Sequence, residues 1–374
     1  MKYSVYQHWD PLKVCMVGKS YSPEFYKFIT NTKARTVLER IARETEEDYQ
    51  KLIKLLESFG VEIIRPTVHD DHQMYIGKSG KIAPPPMCPR DYSIMLGNDF
   101  YFNMSDLLSR WDQIAGESWG DRPEKYEDVP DWIKDEAATM FSIEDYDYKK
   151  LAYADNLTHI EKYANVINSK TQANAAIMTR IGKDLYFGTY TGQVPEEMLR
   201  RKYTKNYPGY RCHVVNTQGH SDATFCPVVP GLLVSLEDIS YEETFPGWEV
   251  IYLPNQSWGS IREFLQLKEK NRGKWWVPGE ELNDDFTEFV ESWLGHWLGY
   301  VEETVFDVNM LVIDKHNVVC NNYNKEVFDA FDRRGITPHI INFRHRYFWD
   351  GGLHCITSDV HREGTIQDYF PERG

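Results

Sequence analysis

A cysteine follows a pair of glycines near the end of the chain, in the stretch DGGLHCITSDVHREG at residues 350–364. Gly351 and Gly352 let the backbone turn tightly and leave space beside the sulfur of Cys355. The thiolate of such a cysteine is a nucleophile when a base and an open approach are present. Most single cysteines are small buried hydrophobic residues instead, and that interpretation fits three others in the chain: Cys15, Cys212 and Cys320.

A histidine and an aspartate alternate in a second stretch, GHSDATF at residues 219–225. If the segment is extended, the side chains of His220 and Asp222 point to the same face. The imidazole could then transfer protons while the carboxylate supplies a fixed negative charge. A polar surface loop is the alternative interpretation, because both residue types are common there.

A second carboxylate, that of Asp91, stands just before an apolar strand in PMCPRDYSIMLGN at residues 86–98. Alone it is typical of a polar residue at the start of a strand. A thiol together with an imidazole indicates covalent catalysis. Two carboxylates beside them suit a planar cation, because each accepts a pair of hydrogen bonds from a guanidinium group. The residues therefore predict attack on the guanidinium carbon of an arginine-like substrate.

Short apolar strands interleaved with helices must position these groups, and the pattern predicts an α/β protein with no obvious linker. Strands are predicted at residues 11–18, 61–66, 184–189, 212–217, 231–236, 249–254, 309–314 and 317–322. Residues 93–102 predict a hairpin with an Asn-Asp turn. Helices are predicted at 36–60, where Gly60 suits the position after the C-cap, and at 192–203 and 323–334.

One segment, residues 255–300, differs from this pattern. Asn283 is a suitable N-cap for a helix with a single apolar stripe. The stripe consists of Phe286, Phe289, Val290, Trp293, Leu294 and Trp297. We expect a helix that faces the core, and a lid or a subunit contact is the alternative.

Composition narrows the class of protein. With 374 residues the chain is long enough for one large domain or two small ones. A formal net charge of −15, without a basic run, argues against a nucleic-acid partner. No stretch reaches the roughly 18 apolar residues of a membrane span, and the first residues lack signal-peptide character. The six cysteines form no CxxC pair and no metal spacing, so we expect a cytoplasmic protein without metal or cofactor.

These motifs resemble, almost end to end, the glycine/inosamine amidinotransferase family of the guanidino-modifying pentein superfamily. WDPLKVCMVGKS resembles the opening strand of that family, and PRDYSIMLGN resembles its first acidic motif. GHSDATFCPVVPGLLVS resembles the histidine motif, and GGLHCITSDVHREGTIQDYF resembles the cysteine motif. The resemblance implies an α/β fold, the pentein β/α propeller, with five ββαβ-like units around a pseudo-fivefold axis and a central active-site channel. It also implies a single domain over residues 1–374, with a family-variable insertion near residues 255–300.

The resemblance assigns roles to four residues. Cys355 matches the nucleophile that takes the amidino group from a donor guanidine. His220 matches the histidine that protonates the leaving amine and later deprotonates the acceptor amine. Asp91 and Asp222 match the carboxylates that bind the guanidinium group.

The chain departs from the family in its substrate-binding positions. Asn174 stands where the family has an aspartate that orients the histidine. Its amide can still hydrogen-bond the imidazole of His220 and orient it, but cannot stabilise an imidazolium by charge. The arginine that binds the substrate carboxylate is missing from GLLVSLEDISYEE. Glu302 and Glu303 fall where the family has paired serines near the donor carboxylate. Asp350 replaces the third glycine of the glycine turn.

The sequence therefore predicts an amidinotransferase that works through a covalent S-amidino-cysteine intermediate. Its partners would be a small guanidine donor, such as arginine, and an amine acceptor, with neither nucleic acid nor membrane involved. Hydrolysis of a guanidine on the same scaffold and a catalytically impaired guanidine-binding protein are the alternatives. The sequence leaves the acceptor amine undetermined, and a homodimer remains one option for the assembly.

Overall fold

Five small sheets of the same design make up the described part of the chain in the computed structural model. That part covers residues 2–76, 82–102, 145–168, 174–189, 195–217, 220–236, 239–253, 282–294 and 307–373, with the single residues 128, 277, 279 and 280. Each sheet has three strands: the first two pair antiparallel, and the third pairs in parallel with the second. A helix leads from the second strand to the third in every sheet, so each unit is ββαβ.

The elements are numbered along the chain. The first are β1 (Leu12–Val17), α1 (Thr32–Ser58) and β2 (Glu62–Ile64). The next two units comprise β3 (Ser93–Leu96), β4 (Asp99–Phe102), α2 (Asp145–Ile160) and β5 (Asn165–Asn168), then β6 (Met178–Ile181), β7 (Asp184–Thr189), α3 (Glu196–Asn206) and β8 (Arg211–Asn216). They are followed by β9 (Phe225–Val229), β10 (Leu232–Ser235), α4 (Tyr241–Thr244), β11 (Glu249–Tyr252) and the separate helix α5 (Asp284–Phe289). The last elements are β12 (Leu311–Asp314), β13 (Asn317–Cys320), α6 (Lys325–Arg333), β14 (Thr337–Ile340), α7 (Arg346–Trp349) and β15 (Thr357–Arg362).

The C-terminal strand completes the first unit. β15 pairs antiparallel with β1, so that Arg362 lies opposite Leu12 and Thr357 opposite Val17. The chain therefore closes on itself, with β15 as the first strand of the unit that continues through β1, α1 and β2. This is the arrangement that the resemblance to a five-unit propeller implies.

The first strand of each unit lies on the inside of the molecule. Every residue of β3, β6, β9 and β15 is buried, whereas β11 and β14, third strands of their units, contain no buried residue. Side chains join the inner strands directly: the hydroxyl groups of Ser93 and Ser358 are 2.9 Å apart, and Arg180 Nη1 donates to Met95 O at 2.7 Å. The segments that precede the five inner strands are therefore brought towards one another.

The predicted elements are confirmed, with small differences in position. The hairpin of β3 and β4 turns at Gly97 and Asn98, because Leu96 pairs with Asp99 and Gly97 takes the positive φ of 56°. The prediction of an Asn-Asp turn was wrong by one residue. The helix expected at 192–203 runs over Glu196–Asn206. Helix α1 has Phe59 as its C-cap, so Gly60 stands directly after the C-cap, as predicted, and has a φ of 73°.

The helix beginning after Asn283 faces the core in its described part, residues 282–294. The side chain of Asn283 accepts a hydrogen bond from the backbone N–H of Phe286, and Phe286, Val290 and Leu294 are buried. The interpretation as a core-facing helix is confirmed there, although Trp293 is 43% exposed. Trp297 lies outside the described residues. None of the described helices has the length and apolar character needed to cross a membrane.

The C-terminal segment after β15 packs on the β6–β7 hairpin, and Gly182 is the point of closest approach. A Cβ at Gly182 would lie 2.1 Å from the carbonyl oxygen of Gln367, and the glycine has a φ of 60°. Gly209 is a matched control, because it has a φ of 98° but a Cβ at this position would meet no atom within 4 Å. Gly209→Ala should cost about 1–2 kcal/mol of unfolding free energy for its backbone conformation alone.

We expect Gly182→Ala to cost about 1–3 kcal/mol more than Gly209→Ala, because its methyl group also meets a backbone carbonyl. Urea unfolding of both variants measures the difference. Equal losses of stability in the two variants would show that the C-terminal segment does not pack against this turn.

Candidate active site

Five segments that carry polar residues lead into the five inner strands. Each polar residue stands two to four positions before its strand in the sequence. In chain order these residues are Asp91, Asn174, Asp222, Asn309 and Cys355. Because the units repeat the same design, equivalent positions of all five units contribute to one site.

Hydrogen bonds connect the five segments into a closed circuit, called here the hydrogen-bonded ring. Its links are Ala175 N to Arg90 O (3.2 Å), Asp222 N to Ala176 O (3.3 Å), Asn309 Nδ2 to Asp222 O (3.1 Å), His354 N to Asn309 Oδ1 (2.8 Å) and Arg90 Nε to His354 O (2.7 Å). Backbone groups take part in every link, so the ring fixes the relative positions of the segments themselves.

Among the five polar residues that precede the inner strands, Asn309 is the one that the sequence motifs did not assign to the site. It is fully buried, and its Oδ1 accepts hydrogen bonds from the backbone N–H groups of His354 and Cys355, at 2.8 and 3.1 Å. Its Nδ2 donates to Asp222 O at 3.1 Å and lies 3.0 Å from Cys355 Sγ. One amide group therefore positions the cysteine backbone and also places an N–H donor against the sulfur. The signal in the sequence was its position just before a buried strand, which it shares with Asp91 and Cys355.

The carboxylate of Asp222 contacts the thiol and a histidine at once. Asp222 Oδ2 accepts a hydrogen bond from His354 Nδ1 at 2.8 Å and lies 3.5 Å from Cys355 Sγ. All three side chains are buried. Burial, followed by the charge of Arg90, holds the pKa of His354 well below its usual value, so this imidazole is neutral near pH 7. His354 therefore acts as a neutral hydrogen-bond donor to Asp222.

His220 and Asp222 do not alternate along an extended segment. Residues Ser221–Ala223 form a single turn of 3-10 helix, with His220 in extended conformation immediately before it. The prediction that both side chains share a face because of strand geometry was therefore wrong. Asp222 is buried and His220 is partly exposed, so their different environments come from the turn.

Asp91 and Asn174 occupy adjacent turns of the ring. Asp91 ends the 3-10 turn Pro89–Asp91, is partly exposed, and precedes strand β3, as predicted. The side-chain oxygen of Asn174 accepts hydrogen bonds from the backbone N–H groups of Ala176 and Ile177, at 3.1 and 3.0 Å. These contacts stabilise the turn before β6. That Asn174 orients His220 stays a prediction.

The glycines before Cys355 are required by close packing. A Cβ at Gly352 would lie 2.6 Å from Asn309 Oδ1, and a Cβ at Gly351 would lie 2.8 Å from Cys88 Sγ. Asp350 has a φ of 51° and is the one residue other than glycine with a positive φ in the described part of the chain. A left-handed conformation favours glycine, which fits the third glycine that the family usually has there. Glu302 and Glu303 lie outside the described residues.

Four other thiols are expected to be unreactive, because they are buried. Burial raises the pKa of Cys15 and Cys226 to about 12 and that of Cys212 to about 11, and it raises the pKa of Cys320 as well. Such thiols stay protonated at neutral pH and are poor nucleophiles. This supports the interpretation of Cys15, Cys212 and Cys320 as structural residues, and Cys226 has the same character.

Removing the Asn309 side chain should destabilise the site strongly. In Asn309→Ala the two N–H groups of residues 354 and 355 lose their acceptor inside the protein, and each buried unpaired group costs about 1–3 kcal/mol. Asn156→Ala is the control. Asn156 is also buried, but it donates its side-chain hydrogen bond to Arg65 O, which is not part of the hydrogen-bonded ring. Urea unfolding should show the larger loss for Asn309→Ala, and a loss no greater than that of Asn156→Ala would contradict the role given to Asn309.

Comparison with known proteins identifies relatives of this chain, although no family model matches the sequence. The chain is 23% identical to a glycine amidinotransferase, mitochondrial, of Xenopus tropicalis over 98% of its own length and 84% of the relative. It is also 23% identical to the L-arginine:L-lysine amidinotransferase of Pseudomonas savastanoi pv. phaseolicola, over 87% of its length and 80% of that protein.

A solved structure extends the similarity to the fold. The amidinotransferase of the saxitoxin biosynthetic pathway from Microseira wollei aligns with a TM-score of 0.61 and 16% identity, over 98% of this chain and 99% of that one. The propeller predicted from the motifs is thereby confirmed. The chain is therefore similar to amidinotransferases in sequence and has the fold of such an enzyme, in agreement with the resemblance of its motifs.

Proposed function

We propose that the protein is an amidinotransferase that moves the amidino group of a guanidine donor to an acceptor amine. The observation that carries the proposal is the contact of the Cys355 thiol with Asp222, 3.5 Å away, inside a ring assembled from all five units. The similarity to amidinotransferases over nearly the whole chain supports transfer over hydrolysis.

In the proposed first half-reaction, the thiolate of Cys355 attacks the guanidinium carbon of the donor and forms a C–S bond. His220 protonates the leaving amine as the C–N bond breaks, which leaves an S-amidino group on Cys355. In the second half-reaction, His220 takes a proton from the acceptor amine. That amine attacks the amidino carbon, the C–S bond breaks, and the thiolate returns.

Asp91 and Asp222 would bind the guanidinium group of the donor. A carboxylate accepts two parallel hydrogen bonds from a guanidinium group, which fixes the plane of the substrate. Asp222 is suitably placed for this role, because it already contacts the sulfur that attacks the central carbon. Asp91 tests the assignment more cleanly than Asp222, which also binds His354. An unchanged KM for the donor in Asp91→Asn would contradict the assignment.

Product analysis tests the function. The protein is incubated with arginine and, in turn, glycine, lysine and other primary amines, and we expect ornithine together with a new guanidino compound. Cys355→Ser should lose this activity, because a serine hydroxyl is far less acidic than a thiol. Cys320→Ala is the control and should retain it, because this buried thiol stays protonated.

Other products would contradict transfer. Citrulline and ammonia without ornithine would show hydrolysis, in which water attacks the amidino carbon. Binding of arginine without any product would show a guanidine-binding protein. Full activity in Cys355→Ser would exclude the covalent mechanism.

The proposal also concerns which guanidine is the preferred donor. If Glu302 and Glu303 replace the serines near the donor carboxylate, the site should disfavour free arginine. Two like charges about 4 Å apart repel by about 4 kcal/mol at an effective dielectric constant of about 20. Agmatine, which is the same guanidine without the carboxylate, should therefore be the better donor.

The comparison of kcat/KM for arginine and agmatine measures this preference. We expect the native protein to favour agmatine and the double variant Glu302→Ser, Glu303→Ser to shift towards arginine. A native preference for arginine that the double variant leaves unchanged would show that the glutamates do not face the donor.

We also propose a cytoplasmic location and small-molecule partners only. All six cysteines are thiols rather than halves of disulfides in the structure, as expected in a reducing compartment. The names of several relatives contain the word mitochondrial, so fractionation of cells followed by immunoblotting is the direct test. A homodimer stays a prediction that sedimentation can check.

A further inference from the structure

Three arginines surround a single aspartate in the interior, directly behind the segment that carries Cys355. This group, called here the arginine hub, consists of Arg90, Arg180, Arg362 and Asp359. Each of the four side chains is at most 1% exposed. An arginine side chain remains charged in proteins, so the hub holds three positive charges against one negative charge.

Asp359 is ionised, and both of its carboxylate oxygens accept hydrogen bonds from arginines. Arg180 Nη2 donates to both carboxylate oxygens of Asp359, at 2.7 and 2.8 Å, and Arg362 Nε donates to Oδ2 at 2.7 Å. Burial alone would raise the pKa of Asp359, but the charges of Arg180, Arg362 and Arg90 outweigh it and hold the pKa well below the usual range. The hub therefore keeps an excess of positive charge at neutral pH.

Arg90 places a positive charge of the hub against the segment that carries Cys355. Its Nε donates to the carbonyl oxygens of His354 and Thr357, at 2.7 and 2.8 Å, on either side of Cys355. Its Nη1 lies 3.2 Å from Asp359 Oδ1. Neither Nη1 nor Nη2 of this buried side chain has a hydrogen-bond partner among the described residues. An incompletely paired charge in the interior is costly, so the presence of Arg90 at this position calls for a function.

The groups that face Cys355 explain why a positive charge is useful there. Asp222 Oδ2 is 3.5 Å from the sulfur and opposes a second negative charge beside it. His354 is neutral because its pKa is lowered by burial and by Arg90, and Asn309 is uncharged. Cys88, which lies next to Gly351, brings no positive charge. Among these neighbours, Arg90 is the source of positive charge.

We propose that the arginine hub, acting through Arg90, stabilises the thiolate of Cys355 against the neighbouring carboxylate of Asp222. Arg90 is thus a positioning and electrostatic residue that acts from behind the cysteine segment without touching the substrate. The inference rests on the proposed role of Cys355 as nucleophile. It concerns the free enzyme, so its test requires no turnover.

The test is the titration of the Cys355 thiolate by its ultraviolet absorbance, taken as the difference between each protein and its Cys355→Ser counterpart. Arg90→Met keeps the length of the side chain but removes the charge, and its titration midpoint should rise by about one pH unit or more. The thiolate fraction at neutral pH should then fall about tenfold. Arg90→Lys keeps the charge and should shift the midpoint much less.

Arg211→Met is the control for the loss of a partly buried arginine. Arg211 pairs with Asp184 and Asp368 in a different part of the fold, so its variant should leave the midpoint unchanged. Equal shifts in Arg90→Met and Arg90→Lys, or an unmoved midpoint in a folded Arg90→Met protein, would overturn the proposal.

A measurement on the unaltered protein covers the case in which Arg90→Met does not fold. Charges of the buried hub are screened little by salt, whereas exposed charges are screened strongly. The midpoint should therefore stay the same between low and high ionic strength, and a large change with salt would overturn the proposal. Because neither measurement uses a substrate, absence of amidino transfer would refute the proposed function without altering these outcomes.

Discussion

The segment of residues 354–357 is held from two sides by side chains of two other units. Asn309 Oδ1 accepts from the backbone N–H groups of His354 and Cys355, and Arg90 Nε donates to the carbonyl oxygens of His354 and Thr357. Both donors and acceptors are buried, so each unmade bond would carry the full cost of an unpaired polar group. The conformation around the sulfur therefore depends on the propeller being closed, and the surroundings of Cys355 cannot form from a local segment alone.

This arrangement explains why the chemistry is spread over most of the chain. Each unit contributes the short turn before its inner strand, and the turns meet only when all five inner strands have assembled. The two glycines before Cys355 allow the final approach, since a methyl group on Gly352 would collide with Asn309. The arginine hub lies beside this segment, with three buried arginines around the single carboxylate of Asp359. Groups of this kind are costly to bury, and these lie behind the segment that carries Cys355.

Much of the architecture was predictable from hydrophobic patterning. Strands β1 and β7 and helix α1 agree with their predictions because their apolar residues are closely grouped in the strands and recur at helical spacing in α1. Glycine also follows β1 and α1, at residues 18 and 60. Five strands were not predicted: β5, β6, β9, β14 and β15. Strand β15 contains serine, aspartate, histidine and arginine side chains that are all buried, so its polarity concealed an interior strand. A strand that pairs its polar groups with distant residues has no hydrophobic pattern of its own.

Individual residues of the candidate site were predictable from the sequence, whereas the hydrogen bonds that join them were not. Asp91, Asp222 and Cys355 were recognised from short motifs, and the contact between Cys355 and Asp222 agrees with their combination. Asn309 and the neutral His354 were not assigned roles, because an asparagine before a strand has many ordinary uses. The geometry of His220 and Asp222 was misjudged, since one turn of 3-10 helix replaces the extended segment. Such short-range features depend on contacts with other units, which a single stretch of sequence does not contain.

In the proposed mechanism, the sulfur of Cys355 takes up an amidino group from the donor. Mixing the protein with arginine in the absence of any acceptor, quenching in acid and measuring the intact mass tests this directly, with peptide mapping to locate the change. We expect a protein that is heavier by one amidino group, located on Cys355, with one ornithine released for each protein modified. Release of ornithine or citrulline without modification of Cys355, or an adduct on another residue, would contradict it.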